Sequence, residues 1–467
     1  MKKRILTSIG LMLFALTNAQ SVTEAYQINS LETFGSARSM GMSGAFNGLG
    51  ADISSSHYNP ANAVNLSKSQ FSFSPYINTT NSLGPNGGYL NTKTNLAISN
   101  FVYTLVDKRN RWTFQYQKEA DFHQKLSDSY NGSLLNFWGD QANSSSATSI
   151  EGLDQVYPTS AGLAYHAFLL NQDTVQDIWF PVDNKTANQS RITVRRGKSN
   201  VFSLGFARKL SKSINFGASL NMPRYYHREA SVYSESDFDT NTDHQGLEVT
   251  DIIEVEGTGL NLKVGTNLKL AKKLRLSAAY QTPTLMWMNQ SYESTIVSQS
   301  AQWGEFTAKQ PGLFDYYHIK PQRIDLGLGI IVSKLLAIGI DYTYQDNSKS
   351  KFISNNSSYS LDYANTAITN ELSTLHQLRA GIEGRIQNFY LRAGASYTSD
   401  SYSSSNNFSD ITGGSVGFGV NKANSRFDIG LQNLQRKERV YDYAPFETSA
   451  KRTINETKLV ATWTWRM

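Results

Sequence analysis

Along much of the chain, apolar and polar residues alternate one by one. In SINFGASLNM, Ile214, Phe216, Ala218, Leu220 and Met222 fall on one face, and Asn215, Gly217, Ser219 and Asn221 on the other. GLNLKVGTNLKL repeats the pattern, setting Leu260, Leu262, Val264, Leu268 and Leu270 against Asn261, Lys263, Gly265, Asn267 and Lys269. Ile324 to Ile330, Phe389 to Tyr397 and the final Leu459, Ala461, Trp463 and Trp465 follow the same rule. A period of two belongs to extended strands, whose successive side chains point to opposite sides. Beyond the amino terminus no run reaches about 18 consecutive apolar residues, so the pattern predicts no transmembrane helix.

A soluble sandwich also alternates, and the connections decide between the two. Strands are expected near 68–79, 92–105, 111–120, 199–210, 213–227, 254–270, 273–288, 316–332, 335–346, 374–386, 388–398, 412–421, 425–434 and 456–467. Short turns alternate strictly with long polar connections, the longest at about 121–198. An even strand number with short turns at one end and long loops at the other is the pattern of an outer-membrane barrel. The cause is energetic: within hydrocarbon every backbone N–H and C=O must be paired, and a closed sheet does this without helices. The fold expected is all-β, a 14-stranded antiparallel transmembrane β-barrel whose apolar strand faces meet lipid. With the amino end in the periplasm, Trp112, Trp463 and Trp465 fall at the inner rim, and Trp287, Tyr316, Tyr317, Tyr342, Tyr344 and Tyr397 at the outer rim. Such aromatic girdles mark both membrane interfaces.

Composition sharpens this. Residues 1–19 join a basic start (Lys2, Lys3, Arg4) to an apolar run, Ile5 to Leu16, and end in small residues, as a signal peptide does. An apolar run this short does not span a bilayer, which takes about 20 residues. Residues 20–67 remain before the barrel at 68–467. There is no cysteine, so neither disulfides nor thiolate metal sites are available. The formal charge is +6, of which Lys2, Lys3 and Arg4 contribute three, and the +3 left is too little to imply a nucleic-acid partner.

The stretch GSARSMGMSGAFNGLGADISSSHYNPANAV, residues 35–64, has no strand or helix period and is rich in small residues. Fourteen strands enclose more room than side chains fill, and this is the only chain at the periplasmic mouth able to occupy it. It is read as a hatch inside the lumen, the alternative being a mobile tail. Small residues suit close backbone packing, and Pro60 biases Asn59 towards an extended turn into the first strand. The order Gly35, Ala37, Gly41, Gly44-Ala45, Ala51-Asp52, Ser54, Asn59-Pro60-Ala61 resembles the amino-terminal hatch of the FadL-type long-chain fatty acid transporters. The chain departs from that pattern at Ile53 and Asn62. The resemblance implies passive uptake of hydrophobic molecules: capture by outer loops, passage to a second site in the barrel, hatch movement, and lateral exit at a kink in the third strand.

Candidate parts follow. The longest connection carries apolar clusters, Leu134, Leu135, Phe137 and Trp138, then Leu163, Tyr165, Phe168, Leu169 and Leu170, then Trp179 and Phe180. These form either a capture groove or the packing of a folded cap. In the third strand Lys118 falls on the lipid face, where charge at mid-membrane costs about 2–4 kcal/mol. Snorkelling at the outer rim resolves the conflict most simply. A kink would also resolve it, making Gln117, Lys118 and Asp121 a candidate lateral portal. Lys263, Arg323, Arg379, Arg385 and Arg392 are interior cations for a carboxylate head group or for Asp325, Asp341, Glu383 and Asp428.

Rival functions have less support. The seven histidines show no metal spacing, there is no Gly-x-Ser-x-Gly elbow, and the glycine-rich stretch lacks the Lys-Ser/Thr of a phosphate loop, so an enzyme, a cofactor and a bound metal are not expected. A general diffusion porin needs no amino-terminal insert. The expected partners are a hydrophobic ligand, outer-membrane lipids with lipopolysaccharide and, during biogenesis, the barrel-assembly machinery, around a monomer.

Overall fold

The alternating segments close into one wall. In a computed structural model, residues 21–441 and 449–467 are described, except 51, 85–89, 133, 146, 184–186, 237–242, 357–359 and 404–408. The expected signal peptide, Gln20 and Ala51 lie outside the described residues. The wall strands are β1 Gln70–Leu83, β2 Leu90–Asp107, β3 Asn110–Asp121 continued by Gln124–Gly132, β4 Ala187–Lys209, β5 Ile214–Ser236, β6 His244–Lys269 and β7 Leu274–Gln281 continued by Thr284–Ser300. They go on as β8 Gly304–Lys320 continued by Arg323–Ile331, β9 Leu336–Asp346 continued by Lys351–Ser354, β10 Thr374–Ile386, β11 Phe389–Thr398, β12 Ile411–Asn421, β13 Ser425–Tyr441 and β14 Ser449–Arg466. Neighbours pair antiparallel, and β1 closes the barrel by pairing with both β2 and β14. These are the fourteen strands that the alternation predicts, joined at the same short turns.

The outer ends differ from expectation. The strands β4 to β8 run well past the predicted limits, so the longest connection shrinks to 133–186. Their outer halves carry polar side chains on both faces, which hides the period that marks the membrane-spanning part. The breaks in β7 and β8 fall at Thr282-Pro283 and Pro321-Gln322, where proline has no N–H to give the ladder.

Outward side chains such as Leu204, Leu220, Leu262, Trp112, Trp287 and Trp463 are exposed, while the opposite face is buried and polar. Tyr316, expected in the outer girdle, instead points into the lumen and is buried, since it has the opposite parity to the exposed Trp287 level with its neighbour Tyr317. Among the described residues no helix is long and apolar enough to cross a membrane. The helices lie in the lumen (α1 Val22–Asn29, α2 Ala37–Met40) and in the outer connections (α3 Leu134–Ser144, α4 Ile150–Val156, α5 Ala161–His166, α6 Asp362–Glu371).

Candidate functional site

Residues 21–50 and 52–66 fill the lumen as a chain of short capped turns. Ser21 caps α1 by accepting the Glu24 N–H at 3.2 Å, and Ser36 caps α2 through the Ser39 N–H at 3.1 Å. Two 3-10 turns follow, Ile53–His57 capped by Asp52 and Pro60–Asn65 capped by Asn59, with Pro60 at the first turn position. Asn59 is extended, as expected beside proline, but the pair opens a 3-10 turn and does not lead directly into β1.

The hatch lies backbone-on-backbone against the wall. Gly48 abuts the chain at Leu328 and Gly329, and Gly41 meets Gly417, where an added Cβ would stand 2.9 Å from the facing Cα. Gly44 has φ +83, a left-handed conformation that only glycine adopts freely, and its missing side chain leaves room for Thr33. The wall reciprocates: Gly217 faces Ala61, Gly265 faces Asn59, Gly339 faces Ala45 and Gly430 faces Ala37. In the sequence this lumen-facing track of wall glycines is indistinguishable from the rest of the polar face, because only the fold shows which glycines meet the hatch.

Polar latches complete the seat. Arg38 grips Glu383 with two bonds, 2.8 and 2.6 Å, and Glu383 also accepts from Arg392 at 2.7 Å. Asp341 accepts the N–H groups of Asn47 (2.7 Å) and Gly48 (3.1 Å), and Lys263 donates to the His57 carbonyl. Asn59 donates to Thr266 (2.8 Å) and Ser277 (2.7 Å), Ala37 N–H to Thr462 (2.7 Å) and Ser43 N–H to Ser415 (2.8 Å). Arg379 lies 4.3 Å over the Tyr58 ring, and Arg323 pairs with Asp325 at 3.1 Å. The interior cations are thus engaged by the hatch or by wall carboxylates, apart from Arg385, which sits exposed beside the short β10–β11 turn. His57 is buried among Lys263, Arg323 and Arg379. Burial first, then these charges, hold its imidazole well below the usual range, so it is neutral.

At its outer end α1 packs Ala25 and Ile28 against Met286, Met288, Tyr316, Phe352 and Ile368. Glu24 enters this apolar cluster and accepts from Tyr316. Burial pushes its carboxyl up to about 8, with the Tyr316 hydrogen bond opposing.

The wall is incomplete beside the hatch. The β2–β3 ladder ends at Asn100↔Gln117, and among the described residues 90–98 of β2 ladder only with β1. A bulge between Lys118 and Ala120, opposite β4, reverses the facing of β3. Lys118 therefore does not snorkel outward: it is buried, 3.0 Å from Asp121 and 5.0 Å from the Tyr76 ring centre. Asp121 also accepts from Tyr76, from Asn95 at 3.0 Å and from His123 at 2.6 Å, joining three strands across the gap. The hatch occupies the vacated edge. Glu32 donates its N–H to the Glu119 carbonyl at 3.0 Å and accepts the Asp121 N–H at 3.3 Å. Gly35 exchanges two bonds with Ser99 of β2, 3.2 and 2.8 Å, and Lys458 of β14 holds the Glu32 carboxylate. Glu32 is a residue of the candidate site that sequence reasoning missed, because its partners lie in two distant strands, β3 and β14.

The expected capture residues form mostly one core. Leu134, Leu135, Trp138, Leu169 and Trp179 are fully buried together with Leu163 and Leu170, and Phe137 packs against them. Helices of 11, 7 and 6 residues need such a shared core to be stable at all. Of these residues only Phe168, its ring centre 4.4 Å from that of Phe306 and tilted by 40°, and Phe180 are exposed.

Neither a family model nor a curated protein matches the sequence. Solved structures do resemble the fold. A FadL homologue of Pseudomonas aeruginosa aligns over 93% of this chain and 99% of its own, with TM-score 0.58 and 10% identity. The Ralstonia pickettii toluene transporter TbuX aligns over 94% and 99%, with TM-score 0.55 and 13% identity. The Pseudomonas putida toluene transporter TodX aligns over 94% and 99%, with TM-score 0.54 and 14% identity. The likeness is of fold, and it extends over nearly the whole of each chain.

Proposed function

We propose that this chain is a passive outer-membrane channel for hydrophobic molecules, long-chain fatty acids or comparable apolar compounds, gated by its hatch and able to release cargo sideways through the β2–β3 gap. The observation that carries the reading is the direct attachment of Glu32 and Gly35 to the strand edges bordering that gap. Withdrawal of residues 31–35 would uncover the gap, so one movement would serve as gate and exit. The fold shared with a FadL homologue and two toluene transporters supports the same class of cargo.

The closed state fits a gate. Beside the gap the lumen keeps a cavity of about 110 Å³, bounded by Tyr26, Glu32, His123, Arg195 and Glu438. Small-molecule sites begin near about 300 Å³, so cargo would need the hatch to move. The seated hatch weighs against a general porin. Capture would begin on the outer cap at Phe168 and Phe180.

The test is a tether. The Ser43 and Ser415 hydroxyls lie 2.9 Å apart, one on the hatch and one on β12, in a chain without cysteine. Oxidised Ser43→Cys/Ser415→Cys protein should lose uptake of labelled fatty acid or toluene in a deletion strain, and reductant should restore it. Full uptake in the oxidised state would rule out a moving hatch.

A further inference from the structure

The outside of the barrel carries a site unrelated to cargo. A basin of about 850 Å³ opens on the wall, lined by Lys198, Asn200 and Phe202 of β4, Arg224 and Tyr226 of β5 and Trp287 of β7, among others. It lies where the apolar belt stops. On β5 the outward row Ile214, Phe216, Ala218, Leu220, Met222 gives way to Arg224, Tyr226 and Arg228. On β4 the row Phe206, Leu204, Phe202 gives way to Asn200, Lys198 and Arg196. The ladder sets Asn200 opposite Arg224 and Lys198 opposite Tyr226, so the two rows change character at one level. Arg224 is ten residues above Ile214, about 25 Å along the barrel axis at the usual rise and tilt. That is the height of the lipid-facing band, about 25 Å, and places Arg224 among the outer-leaflet head groups when the short turns face the periplasm.

The charges here are not spent within the protein. Among the described residues Arg196, Lys198 and Arg224 form no ion pair, whereas the neighbouring Arg228 faces Glu254 at 3.4 Å. Arg224 lies 5.8 Å over the Phe202 ring, which holds the flat guanidinium against the wall with its N–H edge free to meet an anion. Glu256 of β6, opposite Tyr226, and Asp315 of β8 complete the rim, so the positive charge of the basin lies on its β4 and β5 side. Below it Phe202, Leu204 and Leu220 give a greasy surface continuous with the cations.

We propose that this patch binds the phosphorylated glycolipid of the outer leaflet, with its phosphate on Lys198 and Arg224, flanked by Arg196, and its acyl chains along Phe202, Leu204 and Leu220. Charge complementarity at the level of the head groups selects this occupant, because a soluble anion gains nothing from the apolar rows beneath.

Purified full-length barrel in detergent would be titrated with bis-phosphorylated lipid A, with the same lipid after phosphatase treatment and with inorganic phosphate, binding being read by native mass spectrometry. Lipid A should bind at least tenfold more tightly than its dephosphorylated form, and millimolar inorganic phosphate should not displace it. Lys198→Gln/Arg224→Gln should weaken lipid A binding by about thirtyfold, with heat-modifiable gel migration showing that the barrel is folded. Equal binding of the two lipids, displacement by inorganic phosphate, or unchanged affinity in the folded variant would each overturn the proposal. If the variant does not fold, the comparison of the two lipids on the wild-type chain decides alone.

Discussion

Glu383 is the residue on which the hatch latch turns, since Arg38 of the hatch and Arg392 of the wall both close on its carboxylate. Glu383→Gln would leave Arg38 with a neutral partner in a buried site, where breaking an ion pair costs about 3–5 kcal/mol. The barrel ladder is untouched, so the expected outcome is a looser hatch: trypsin should cut after Arg38 in the variant and not in the wild type, and unchanged digestion would show the latch to be dispensable. Glu24 gives a pH dependence of defined sign. Its folded pKa of about 8 lies above its ordinary 4.5, so the folded state holds the proton more strongly. The stabilisation is complete below about 4.5 and is lost as pH rises through about 8. Ile28→Cys, buried beside Glu24, should grow more reactive to a maleimide as pH rises from about 4.5 to about 8 and level off above that, after correction for thiol ionisation, and Glu24→Gln should flatten the profile.

Among elements, β3 carries most of the functional argument. Its alternation is legible through Trp112, Phe114 and Tyr116, and the misplaced charge at Lys118 marked the place where it fails. Which remedy the chain adopts was not legible. Snorkelling and a bulge satisfy the same local sequence, and the choice rests on partners in β1, β4 and the hatch. If the gap is an exit, closing it should block release. Asn95 and His123 face each other across it at 3.3 Å, so a short bis-maleimide joining Asn95→Cys to His123→Cys should abolish uptake, while each single variant reacted alone stays active. Uptake by the cross-linked form would place the exit at the periplasmic mouth. In the outer cap the apolar clusters were visible in the sequence, but groove lining and core have the same composition. Only the burial of Leu134, Trp138 and Trp179 separates them.

For the whole molecule, the proposed function makes the hatch the barrier to flow through the lumen. Deleting residues 21–66 removes the lumen filling and leaves every strand in place. In planar bilayers the full chain should show low, intermittent conductance and the truncated barrel large steady currents, as expected of fourteen strands without a plug. Equal currents from both would mean that the hatch does not obstruct the lumen.

By itself the sequence determined strand number, the short-turn end and the lipid face, because a closed sheet in hydrocarbon forces a period-two pattern that each segment carries locally. It also marked the hatch, whose small residues and cap-forming Ser, Asp and Asn have few other uses in one run. Tertiary structure alone decided where the wall opens, which residue of the hatch reaches that opening and which cations remain free. Those outcomes depend on pairing and charge balance between strands hundreds of residues apart, and no local pattern records them.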